Sequence, residues 1–186
     1  MYDREDNTFM IRKPLLKCWF WLSASELLCL VLAFSFAILQ QSWARWASLF
    51  CCLLAHILIM GNCSAEIAHE NIALSRSEKQ KASPCFAFQL ALLAALPRFL
   101  LYGLLWLFSD SVLMLNLYLL LNAPYIQILR FLLNGAEPFS AVRDVSRFCM
   151  GLLPFITSIS VFAGYSHHYS VNSKEIGTEI HRAKRF

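Results

Sequence analysis

Two residues of opposite charge stand inside apolar stretches of this 186-residue chain: Glu26 in the first stretch and Arg98 in the third. Glu26 lies about 11 residues into its stretch, roughly 16 Å at the helical rise, and Arg98 about 12 residues, roughly 18 Å, into its own. A lone charge at that depth in hydrocarbon is costly, so such residues pair, face a polar interior, or serve an ion or substrate. A carboxylate and a guanidinium offset one another well, because the guanidinium presents a rigid fork of donors to the carboxylate oxygens. Two alternatives follow: an ion pair that fixes helix register, or a site for a substrate or ion. His56, Gln89 and Asn122 are the other polar side chains placed to join such an interior. Pro97 directly precedes Arg98 and is expected to kink its helix, opening backbone carbonyls beside the charge.

Enzyme chemistry finds no comparable foothold. Glu66-Ile67-Ala68-His69 has the E-x-x-H spacing of di-iron bundles, but that chemistry needs a second such motif and further carboxylates. There is no H-E-x-x-H, no G-x-S-x-G and no phosphate-binding P-loop. His167-His168 lack neighbouring ligand types, so no metal, cofactor or catalytic residue is expected. Seven cysteines (18, 29, 51, 52, 63, 85 and 149) include no C-x-x-C, and most lie in apolar runs, where a thiol behaves as a small hydrophobe. The pattern is not that of a disulfide framework or of a thiol oxidoreductase with paired loop cysteines.

These residues are carried by five apolar runs, at roughly 15–40, 43–61, 86–108, 111–134 and 148–165. Most are long enough to cross a ~30 Å hydrocarbon layer as helices. Hydrophobic residues make up 58% of the chain and charged residues 15%, with a mean hydropathy of +0.53, so the class is an integral membrane protein. The expected architecture is all-α: a polytopic transmembrane helical bundle with four to five membrane segments, one of them broken or re-entrant. Asn122-Ala123-Pro124 interrupts the fourth run, and Pro154 and Gly164 mark the fifth. The five tryptophans (19, 21, 43, 46 and 106) fall near expected helix ends, where indoles settle in a bilayer. The first run is too long for a signal-peptide core and reads as a retained signal anchor. Ser25, Cys29, Ala33 and Ala37 form a stripe of small residues every fourth position, a surface on which another helix could pack closely.

Around this membrane domain, residues 15–166, the sequence places a polar and mobile N-terminal tail (1–14) and a basic C-terminal tail (167–186). Residues 62–84 read as a helical extension of the second span, ended by Ser83-Pro84, with charges of alternating sign. With five spans, ten Lys and Arg residues fall on the N-terminal side and five on the other. If the fourth run dips in and returns, the split becomes eleven to four. Both counts predict a cytoplasmic N-terminus and a cytoplasmic 62–84 segment. The net charge of +4 is spread through the hydrophilic segments and forms no basic stripe interleaved with aromatics, so nucleic-acid binding is not expected.

Between His56 and Phe131, a polar helix is followed by Ala95-Leu96-Pro97-Arg98-Phe99-Leu100-Leu101-Tyr102 and then Leu121-Asn122-Ala123-Pro124. This stretch resembles small multipass membrane proteins of Gram-positive bacteria. The resemblance covers about half the chain and implies a bacterial plasma membrane, but it brings no activity with it. The residues themselves favour a non-enzymatic accessory or scaffold subunit, partnered by the lipid bilayer and by another membrane protein or a second copy. The alternative is a component that binds or transports a small molecule or ion around Glu26, Arg98 and Asn122.

Overall fold

The structure, a computed structural model, describes residues 3–39, 41–78 and 84–183, and every regular element among them is helical. The order is α1 (Asp3–Ala37), α2 (Ser42–Glu78), α3 (Pro84–Leu107), α4 (Val112–Leu120), α5 (Ile126–Leu133), α6 (Asp144–Leu152) and α7 (Pro154–Ala183). Short 3₁₀ turns, Ala123–Tyr125 and Phe139–Ala141, precede α5 and α6. Four stretches are long and apolar enough to cross a membrane: Ile11–Ala37, Trp43–Ala73, Cys85–Leu107 and Asp144–Val171. The last of these runs through α6 and α7, across the step at Leu153 that Pro154 imposes.

The remaining apolar run is a bent pair whose arms, Val112–Leu120 and Ala123–Leu133, meet at 93°. Helices α4 and α5 have nine and eight residues, about 13 and 12 Å, so neither alone is long enough to cross a ~30 Å layer. Both outer ends are tied to the same end of the bundle. The Ser140 N–H donates to the Ser109 carbonyl at 3.0 Å, and Phe139, beyond the pair, stands edge-on to Trp106, before it, at 5.7 Å. The run therefore turns at 121–125 and brings the chain back to the end of the bundle from which it started, as a bent hairpin. Ser111 caps the entering arm by accepting from the Met114 N–H, and Asn134 (φ 47°) and Gly135 (φ 79°) turn the chain after the returning arm.

The termini lie at the other end. Lys17 on α1 sits 2.8 Å from Glu66 and 2.9 Å from Glu70 on α2, and Asn71 on α2 donates to the Tyr165 hydroxyl on α7 at 3.1 Å. Within the 1–14 segment the helix begins at Asp3. The 167–186 segment continues α7 through Ala183, and residues 184–186 lie outside the described residues. The extension of the second span is helical to Glu78, while its expected end at Ser83-Pro84 involves residues 79–83, which also lie outside them.

Packing is tightest where small residues permit it. A Cβ on Gly164 of α7 would lie 2.8 Å from the Gly61 Cα of α2, so this glycine serves a close helix crossing and does not mark a break. Gly151 likewise leaves room for the Tyr102 ring, which a Cβ would meet at 2.8 Å.

Candidate functional site

The four long apolar helical stretches and the bent pair each place a polar group in one cluster. Glu26, His56, Arg98 and Thr157 each lie within about two residues, about 3 Å, of the middle of their spans, and Tyr125 stands at the elbow of the hairpin. Arg98 is the centre, with 1% of its side chain exposed. Its Nε and Nη2 donate to the same oxygen, Glu26 Oε1, at 3.2 and 3.1 Å. Its Nη1 donates to the Tyr125 hydroxyl at 3.0 Å and to Thr157 Oγ1, and it lies 3.3 Å from His56 Nε2. The guanidinium carbon also lies 5.0 Å from the centre of the Tyr125 ring, a cation–π contact in a dry setting.

The neighbours are linked among themselves. His56 Nδ1 is 2.7 Å from Ser25 Oγ, its Nε2 is 3.1 Å from Thr157 Oγ1, and Thr157 Oγ1 is 3.1 Å from the Tyr125 hydroxyl. One assignment of hydrogens satisfies the network. Arg98 donates to the Tyr125 oxygen, Tyr125 donates to Thr157, Thr157 donates to His56 Nε2, and His56 Nδ1–H donates to Ser25. Each guanidinium nitrogen meets an acceptor and the guanidinium meets its carboxylate, which favours keeping a buried charge buried. Glu26 is the one outward-looking member. Its side chain is 14% exposed, and Oε2 has no hydrogen bond among the described residues.

The other sequence-derived candidates divide. His56 and Asn122 are fully buried, but Asn122 does not reach the pair. Its amide donates to the Tyr118 carbonyl at 2.9 Å, closing the frayed end of α4, and its buried Oδ1 has no partner. Gln89 is exposed and does not belong to the interior. It precedes Arg98 by nine residues, about 900° of helix, which turns it to the opposite face. Ser25, Cys29 and Ala33 are buried, with Cys29 and Cys52 exchanging thiol-to-carbonyl contacts at 3.4 and 3.5 Å, whereas Ala37 is exposed. Ser25 and Cys29 of the stripe thus pack against α2 of the same chain, and Ala37 falls outside it because α1 has reached its last turn. Cys18 and Cys63 form a second pair across α1 and α2, so four of the seven free thiols meet in pairs through space although no sequence spacing shows it. Glu66, of the E-x-x-H motif, is held by Lys17, and His69 stands edge-on to His168 at 5.8 Å.

No family model, curated protein or solved structure matches this chain.

The residues that sequence reasoning missed are Tyr125 and Thr157, both common in membrane helices and individually without signal. It also missed how the proline-freed carbonyls are used. Pro97 cannot donate to the Leu93 carbonyl four residues earlier, and the Trp19 indole donates to it instead at 3.1 Å. Pro154 likewise cannot donate to the Met150 carbonyl, which accepts the Leu153 N–H at 3.4 Å and the Tyr118 hydroxyl at 3.1 Å. Trp19 therefore points at α3 and does not serve only as an interface marker.

Proposed function

We propose that this chain is a non-enzymatic accessory or scaffold subunit of a larger assembly in a bacterial plasma membrane. In this reading its N-terminus is cytoplasmic, and its partner is another membrane protein or a second copy of itself. The observation that carries the reading is the state of the intramembrane charge. All three guanidinium nitrogens of Arg98 are engaged by the chain itself, so little charge is left to attract a solute or ion. What remains unsatisfied is Glu26 Oε2, an acceptor facing outward at mid-depth, where no water is available to hydrogen-bond it. A hydroxyl or amide on a neighbouring helix would meet that need, while a cation is disfavoured beside Arg98. The eleven-to-four Lys and Arg split of the re-entrant arrangement supports the orientation. The resemblance of residues 56–131 to small multipass proteins of Gram-positive bacteria supports the choice of membrane.

The test is photo-crosslinking in native membranes from a benzoylphenylalanine placed at Leu27, an exposed neighbour of Glu26, with Phe50 on α2 as the control position. A defined adduct from position 27, absent from position 50 and weakened by Glu26→Ala, is expected. A second reading, binding or transport of a small solute, is favoured by the unpartnered Asn122 Oδ1. A purified monomer that moves a defined solute into liposomes unaided, with no adduct at 27, would establish that reading in place of the first.

A further inference from the structure

The end of the bundle opposite the termini carries a cavity of about 330 Å³ between the start of α2 and the returning arm of the hairpin. Arg45, Gln41 and Phe36 line it from one side, and Gln127 and Arg130 from the other. Among the described residues, Lys17, Arg98 and Arg147 each have a carboxylate partner, but Arg45 and Arg130 have none. Asp110, Glu137 and Asp144, the acids at this end, are not among the residues that line the cavity. Gln41 is oriented by Trp43, whose indole N–H donates to Oε1 and leaves the amide nitrogen as a donor. The polar wall is therefore rich in donors, with two permanent positive charges facing one space, while Phe36 and Ala44 supply an apolar wall. Two guanidiniums around one cavity raise its potential for an anion, and their forked donors match phosphate oxygens.

We propose that this cavity binds a phosphate group, with Arg45 and Arg130 as its principal ligands. Trp43 and Trp46, both exposed at this end, put the cavity at headgroup level, where lipid phosphates lie. Arg45 and Arg130 are themselves exposed, so a soluble phosphate would also have access. The inference goes beyond the proposed scaffold role and does not depend on it.

Two measurements on the full chain separate the sources. The first is native mass spectrometry after mild extraction from phosphatidylcholine vesicles doped with phosphatidylglycerol. The second is thermal unfolding in detergent titrated with inorganic phosphate against chloride of equal ionic strength. Retained phosphatidylglycerol that falls about tenfold or more in Arg45→Gln/Arg130→Gln identifies a lipid headgroup. A rise in unfolding midpoint with phosphate, lost in the same variant, identifies a soluble phosphate. Arg143→Gln, an exposed arginine at the same end but outside the cavity, is expected to leave both readouts unchanged. Each single variant is expected to show a partial loss, which keeps the comparison readable if the double variant purifies poorly. Equal lipid retention and equal phosphate response in wild type and variants, or the same loss in Arg143→Gln, would overturn the assignment.

Discussion

Arg98 and Glu26 hold each other in place, so neither can be judged by what it contributes alone. Replacing Arg98 by Gln leaves a carboxylate at mid-membrane without its counter-ion, and replacing Glu26 by Gln leaves a guanidinium there. Breaking a buried pair by removing one partner typically costs about 3–5 kcal/mol, whereas removing both leaves two neutral amides able to bond each other. Each single variant is therefore expected to unfold more readily than the double variant when followed by thermal denaturation in detergent. Additive single and double effects would contradict the pairing. This pair was legible in the sequence because ionisable residues are conspicuous inside apolar runs. The groups that complete its shell were not. Tyr125 and Thr157 look ordinary in such runs, and only the turn of the hairpin and the register of the last span bring them within 3.1 Å of one another.

Helices α3 and α7 each contain a proline and stay serviceable because a neighbour supplies the missing donor. Pro97 leaves the Leu93 carbonyl to the Trp19 indole, and the Met150 carbonyl, which Pro154 cannot reach, is shared by the Leu153 N–H and the Tyr118 hydroxyl. Trp19→Phe is then expected to destabilise the bundle by about 0.5–2 kcal/mol, the range for an interhelical bond whose loss strands a buried acceptor. Pro97→Ala restores an N–H four residues beyond Leu93, so it should recover part of that loss in the Trp19→Phe background. If Trp19→Phe costs as much in the Pro97→Ala variant as in the wild type, the exchange of donors is contradicted. At the α2–α7 crossing, Gly164→Ala must push a Cβ towards Gly61, while Gly103→Ala on α3 meets nothing within 4 Å. The first should lower the unfolding midpoint and the second should not. The sequence marked all three of Pro97, Pro154 and Gly164 as places where a helix could fail. It could not show that each is a point of contact, because the compensating atom comes from a distant part of the chain.

At the scale of the whole molecule, hydropathy was enough for a helical membrane bundle, since backbone groups in hydrocarbon leave helices as the only option for such runs. It was not enough for the number of crossings. The fourth run has the length and composition of a span, and Lys and Arg counts separated the two arrangements by a single residue. What separates them is a contact between segments that flank the run: Ser140 N–H to the Ser109 carbonyl, with Phe139 against Trp106. An arrangement of four crossings and a re-entrant hairpin, which this contact favours, puts both ends of the chain on one side, and 108–111 and 134–143 together on the other. Cysteines introduced at Asp110 and Asn134, both exposed, should therefore react from the same face of the membrane, and one at His167 from the opposite face. The measurement is labelling in intact cells and in inverted vesicles with a membrane-impermeant maleimide, in a background whose seven native cysteines are replaced by alanine. With the N-terminus cytoplasmic, positions 110 and 134 label in cells and 167 only in inverted vesicles. The reverse pattern would refute the orientation while leaving the hairpin intact. Labelling of 110 and 134 from opposite faces would show that the run crosses, and that the Ser109–Ser140 contact does not form in the membrane.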